Sequence, residues 1–154
     1  MPPYVIDTSI WIRIWRNHPP DIFVNLWQQL DASIAAMQVR SPEEVLHELD
    51  RGTDEIAESL RQRHGLFAPL DEALITAVTQ VQAACDDLAD QEGERNRADP
   101  FVVGLGKLLN GTVVTDERPR RDANARRRIP DACDHLNVPW RNWFDFLREV
   151  GWQL

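Results

Sequence analysis

The spacing of apolar positions changes repeatedly along the chain, and each change marks an element. Tyr4-Val5-Ile6 is a short apolar run that stops at Asp7-Thr8-Ser9. An uninterrupted apolar run predicts a buried strand, and the polar triplet predicts a capped turn into a helix. Ile10, Trp11, Ile14 and Trp15 follow at helical spacing until Asn17-His18-Pro19-Pro20 breaks it. Asp21 is placed to cap a second helix, with Phe23, Leu26, Trp27 and Leu30 on one face. The mostly apolar stretch 33–39 reads as another buried strand. Ser41-Pro42-Glu43-Glu44 reads as a helix start, with Ser41 as cap, Pro42 in the first turn and Glu44 as a capping-box carboxylate.

A polar helix is expected over 54–63, closed by His64-Gly65, then a short extended piece over 66–70. Asp71 opens a long helix carrying Leu74, Ile75, Val78, Val81 and Leu88. The charged stretch 86–97, with Gly93, reads as a frayed helix end or a loop. Asp99 and Pro100 start the next helix as cap and first-turn residue, and Asn110-Gly111 ends it. Thr112-Val113-Val114-Thr115 is a β-rich run leading into Asp116-Glu117. An arginine-rich stretch, a short helix over 129–136 and a Trp/Phe-rich helix around 143–150 complete the chain. Short apolar strands alternating with helices predict a parallel sheet covered on both faces. The expectation is a single three-layer α/β/α domain over 1–154, with no repeat and no linker.

Composition narrows the function. At 154 residues the chain can bury a core without disulfides or a structural metal. Cys85 and Cys133 are the only cysteines and neither sits in a CxxC, which excludes a thiolate zinc site and a disulfide framework. Mean hydropathy of -0.43 and the lack of a long apolar run argue against a membrane span. The first residues show no basic segment followed by an apolar stretch, so a cytoplasmic protein is expected. With 17 basic and 25 acidic residues the net charge is -8, which repels nucleic acid overall. A nucleic-acid role then needs a local basic patch or a cation.

Carboxylates supply the candidate chemistry. In a parallel sheet, ligands bind beyond the carboxyl ends of the strands. Two strand ends deliver acids there, Asp7 and the pair Asp116-Glu117, and two helices can add Glu48 and Asp99. Such a set would repel itself and raise its own pKa values, a conflict that a hard divalent cation resolves. Each acid also has a plainer reading. Asp99 and Asp7 can be helix caps, Glu48 a solvated helix position, and spacing alone does not choose between Asp116 and Glu117. The run Arg118, Arg120, Arg121, Arg126, Arg127 and Arg128 reads as a solvated loop, as pairs with the surplus surface acids, or as contacts to phosphates.

Taken together, Asp7-Thr8-Ser9 after a strand, Glu48 in Val45-Leu46-His47-Glu48-Leu49, Asp99 opening a helix, and Val113-Val114-Thr115-Asp116-Glu117 resemble the PIN domain, the nuclease fold of VapC-type toxins. The closest resemblance is to a PIN-like subgroup first catalogued as a domain of unknown function. It extends to Ile129-Pro130-Asp131-Ala132-Cys133 and the aromatic last helix, and spans essentially the whole chain. The family's acidic positions fall on Asp7, Glu48 and Asp99. Its Thr-x-Asp frame reads Thr115-Asp116-Glu117, which puts Glu117 at the aspartate position and leaves Asp116 as a substitute. Gly104 and Gly106 stand where the family commonly has alanines.

The resemblance implies a metal-dependent endoribonuclease, the toxin of a toxin–antitoxin pair, using Mg²⁺ or Mn²⁺. Asp7, Glu48, Asp99 and Glu117 would be catalytic, with Asp7, Asp99, Glu117 and Asp116 as the candidate metal ligands. Thr8, Ser9 and Thr115 would orient a water or a carboxylate, and Arg118, Arg120 and Arg121 would contact RNA. An antitoxin and a second copy of the chain are the implied partners, with the apolar side of the Trp11-to-Trp27 helices as a candidate surface. The alternative is an interaction module on a degenerate PIN fold. A haloacid-dehalogenase reading lacks its second acid, because Ser9 stands two residues after Asp7. A receiver reading lacks its late strand-end lysine, because the only lysine is Lys107, in a predicted helix.

Overall fold

The computed structural model describes residues 2–52, 54–89 and 97–154. In chain order the elements are β1 (Tyr4–Ile6), α1 (Thr8–Asn17), α2 (Val24–Ala35), β2 (Val39–Pro42), α3 (Glu43–Gly52), α4 (Asp54–Arg61) and β3 (Phe67–Ala68). They continue as α5 (Glu72–Ala84), α6 (Asp99–Leu108), β4 (Thr112–Val114), α7 (Ile129–His135), β5 (Trp140–Arg141) and α8 (Trp143–Val150). The five strands form one sheet in the order β3-β2-β1-β4-β5, and every pairing is parallel. Helices α1, α3 and α4 pack on one another, and α6 packs on α5 and α7. Right-handed crossovers set these two groups on opposite faces of the sheet. This is the expected three-layer α/β/α architecture.

The burial pattern explains the strands. All three residues of β1 are buried, as are Val113 and Val114 of β4, because helices cover both faces of the central strands. Helix α6 crosses the middle of the sheet and touches β1, β2 and β4. Its glycines allow that approach. A Cβ on Gly106 would stand 2.8 Å from Cγ2 of Val113, and one on Gly104 would stand 3.2 Å from the backbone N of Val78 in α5.

Several expectations need correcting. Asp21 caps nothing: Ile22 and Phe23 both donate to the Pro19 carbonyl, and this turn delays α2 until Val24. The stretch 33–39 is not a strand. Ile34 continues the helical face of Leu26, Trp27 and Leu30, so α2 runs to Ala35, Met37 turns at positive φ, and β2 starts at Val39. Ser41 and Pro42 belong to β2 rather than to a helix start. The Ser41 hydroxyl donates to the Ile6 carbonyl at 2.6 Å and accepts the Trp11 indole N–H at 3.0 Å. Helix α4 is amphipathic, with Ile56, Ala57 and Leu60 buried. Helix α5 ends at Ala84, so Leu88 is buried from a turn beyond it. Most of the charged stretch predicted as a loop, 90–96, lies outside the described residues. Trp11 and Trp27 are core residues at 1% and 5% exposure, which removes them from any docking surface.

Candidate active site

The sheet order places the site. From β1 the chain steps outward through β2 to β3, then crosses back to β4 on the other side of β1. The crevice beyond the carboxyl ends of β1 and β4 is therefore the topological switch point, where ligands of open α/β sheets bind. Asp7 and Thr115 are the first residues past those two strands. The Asp7 N–H extends the ladder by one rung to the Val114 carbonyl, at 3.0 Å.

Asp7 is 3% exposed and tightly oriented. Its Oδ1 accepts the Thr8 N–H at 2.7 Å, and its Oδ2 accepts the hydroxyls of Ser9 at 2.7 Å and Thr115 at 2.9 Å. The same two hydroxyls accept the N–H groups of Asp116 and Glu117, so they knit the end of β4 to the start of α1. Burial raises the Asp7 carboxyl from 3.8 to about 7. The hydroxyl of Ser9 opposes that rise, the Glu117 charge adds to it, and Thr115 and Glu48 contribute less.

Asp99 is not a helix cap. Ala98 holds the cap position, and Asp99 is the first residue of α6, 4% exposed. Its Oδ2 is buried with no hydrogen-bond partner. Burial pushes its carboxyl strongly upward, the charges of Asp7, Glu117 and Glu48 push it further, and the cation of Arg126 opposes the rise. Glu48 is not a solvated helix position either, since its Oε1 accepts the Ala98 N–H at 2.8 Å. Glu117 Oε2 accepts the N–H of Ile129, the first residue of α7, at 2.9 Å.

Asp7, Glu48, Asp99 and Glu117 thus act on one another through their charges, and Asp116 stands apart. Its two oxygens accept Arg13 Nη1 at 3.0 and 3.1 Å. Among the described residues no three His, Cys, Asp or Glu side chains are grouped so as to hold a metal ion as they stand. Glu48 and Glu117 are instead drawn to backbone N–H groups. The donor chemistry nevertheless suits a hard cation: all four candidate donors are carboxylates, two are pushed toward protonation, and one buried oxygen has no hydrogen-bond partner among the described residues.

The remaining candidates divide. Ser9 and Thr115 orient the Asp7 carboxylate, whereas the buried Thr8 hydroxyl has no partner. The arginine run is a largely exposed loop, tied down by hydrogen bonds to surface acids and carbonyls. Asp131 accepts the backbone N–H groups of both Arg120 and Arg128 and so closes the loop between them. The Arg120 guanidinium is turned onto the carbonyls of Ala123 and Ala125. Arg126 donates to the Leu88 carbonyl at 2.6 Å, and Arg127 pairs with Asp87 at 3.1 Å. Arg118 and Arg121 stay exposed. Sequence reasoning missed both Arg13 and the particular part of Arg126, because neither partner lies near in the chain.

The sheet and its covering helices give the chain a PIN-like α/β/α fold. FitAcB from Neisseria gonorrhoeae is similar in structure, with a TM-score of 0.55 and 18% identity over 90% of this chain and 96% of that one. VapBC-1 from nontypeable Haemophilus influenzae also reaches a TM-score of 0.55, with 15% identity over 92% of this chain and 98% of that one. At these identities the likeness is one of fold. A family profile described as Domain of unknown function (DUF4411) matches residues 4–154, and the chain belongs to that family. No curated protein matches it.

Proposed function

We propose that this chain is a metal-dependent endoribonuclease and the toxin half of a toxin–antitoxin pair. The observation that carries the reading is Asp99, a buried carboxylate with an unpartnered oxygen, facing the charges of three other acids at the switch point of the sheet. Asp7, Asp99 and Glu117 would hold Mg²⁺ or Mn²⁺, with Glu48 completing the acidic set and Asp116 as the substitute ligand. When bound, such a cation polarises a phosphodiester and lowers the pKa of water.

The chain's own groups would do the rest. Ser9 and Thr115 keep Asp7 in one orientation, and Thr8 has an unspent hydroxyl for water or substrate. Arg118 and Arg121 are free to meet phosphates, while Arg120 would hold the loop that presents them. The likeness in fold to FitAcB and VapBC-1, both PIN-domain toxin–antitoxin proteins, supports an antitoxin as partner. A homodimer in the cytoplasm completes the proposal. Among the described residues no helix is long and apolar enough to cross a membrane.

Calorimetric titration with Mn²⁺ tests the reading, comparing the parent with an Asp7→Asn/Asp99→Asn variant of matched circular dichroism. Binding in the parent that vanishes in the variant, together with RNA cleavage abolished by chelator, is the expected result. One observation favours a second reading: the lack of a ready three-ligand group among the described residues suits an interaction module on a degenerate nuclease fold. No binding in the parent, with short RNA present, would select that module and overturn the nuclease.

A further inference from the structure

We infer that the cleft lined by Arg118, Trp140 and the stacked pair Arg13–Phe144, beside the carboxylates, seats an unpaired base of the RNA strand next to the phosphate that is cut. The inference rests on the ribonuclease reading above. The cleft has a volume of about 410 Å³ and is walled by Arg13, Arg118, Trp140, Trp143 and Phe144. Glu117 also lines it, so it opens directly onto the acids. That size lies within the range of small-ligand sites.

The walls have the chemistry of a single-strand subsite. Asn142 caps α8 by accepting the Asp145 N–H at 2.9 Å, and this fixes the first turn, from which Phe144 projects at 53% exposure. The Arg13 guanidinium carbon lies 4.9 Å from the centre of the Phe144 ring. Asp116 holds that guanidinium by two hydrogen bonds and cancels its charge, so the pair offers a rigid planar surface rather than a free cation. Arg118, exposed on the rim, supplies the positive charge. Two donors on cleft-lining residues are buried and unspent, Arg13 Nε and the indole N–H of Trp143.

Unpaired bases stack on aromatic rings and guanidinium planes, and their phosphates take arginine. Paired bases keep their faces covered and cannot use such a wall. With Arg13 already paired to Asp116, the ring surfaces of Trp140 and Phe144, with Arg118 for a phosphate, favour an unpaired base over an antitoxin segment.

The test uses the full chain in Mn²⁺ with a single-stranded RNA carrying 2-aminopurine beside the cut site. Phe144→Leu keeps apolar area and removes the ring, and Phe144→Trp restores a ring. The side chain is exposed, so all three proteins should melt together. In the leucine variant KM should rise about tenfold with kcat little changed, in keeping with the loss of one base stack. Fluorescence quenching on binding should appear in the parent and the tryptophan variant and be lost in the leucine variant. An active parent whose KM and quenching survive Phe144→Leu would overturn the subsite, leave the nuclease standing and free the cleft for a protein partner. A parent that cleaves no RNA in Mn²⁺ would overturn both.

Discussion

Glu48 Oε1 accepts the backbone N–H of Ala98 at 2.8 Å, across fifty positions of sequence. Ala98 is fully buried, so its N–H needs that partner. One side chain thus anchors the start of α6 and sets a negative charge against Asp99, which raises that carboxyl. Glu48→Gln keeps an acceptor and removes the charge, whereas Glu48→Ala removes both. We expect urea unfolding to show little change for the glutamine variant and a loss of about 1–3 kcal/mol for the alanine variant. Both should weaken Mn²⁺ binding in calorimetry. Equal stability of the two variants would show that the bond to Ala98 contributes nothing.

Stability should depend on pH in an unusual direction. Asp7 ionises near 3.8 in an unfolded chain and near 7 in the folded one, and Asp99 is raised as well. Folding then takes up protons, so the stabilisation is complete below the unfolded value and is lost as pH rises through the folded value. In chelator, the melting temperature should fall between about pH 4 and pH 7. Asp99→Asn should flatten the fall, and saturating Mn²⁺ should flatten it further by selecting the ionised acids. A melting temperature that climbs with pH across this window would refute the assignment.

Asp116 and Glu117 are neighbours with different surroundings. Asp116 is paired with Arg13, and Glu117 bears on Asp7 and Asp99. Glu117→Gln should lower Mn²⁺ affinity by at least about tenfold while still accepting the Ile129 N–H. Asp116→Asn should leave affinity within about twofold of the parent, well short of the effect of losing an inner-sphere partner. The reverse order in a titration would make Asp116 the ligand.

Two glycines should respond oppositely to alanine. A Cβ on Gly106 meets Val113 at 2.8 Å and Val138 at 3.1 Å, both of them buried, branched side chains with little room to yield. Gly106→Ala should cost about 1–3 kcal/mol from overpacking, despite the gain in helix propensity. A Cβ on Gly52, at the end of α3, meets nothing within 4 Å. Gly52→Ala should be neutral or stabilising by up to about 1 kcal/mol. Denaturant titration of both variants checks the contrast.

The legible parts of the fold are those whose chemistry is local. Tyr4–Ile6 and Val113–Val114 read as strand because each is an unbroken buried run of strand-forming residues. Asp71 read as a cap because its partner, the Leu74 N–H, is three residues away. Ser41 misled because its partners are Ile6 and Trp11, 35 and 30 positions back. Strand β5 has two half-buried residues and owes its existence to the free edge of β4, which no local pattern announces. The four acids were legible through order and resemblance. That Arg13 would claim Asp116, and that backbone groups would hold Glu48 and Glu117, depended on packing between distant segments.

The bond between Thr115 and Asp7 spans 108 positions, and this has a consequence for the timing of synthesis. Asp7 is synthesised 108 positions ahead of the hydroxyl that orients it, and the flanking strand β4 also comes late in that interval. At roughly 5–20 residues per second that interval is about 5–20 seconds. A nascent or truncated chain lacking β4 has a bare edge on β1 in place of the crevice. Termination anywhere between Asp7 and Thr112 therefore yields a fragment without the acidic pocket, and the crevice takes shape only once β4 has been made.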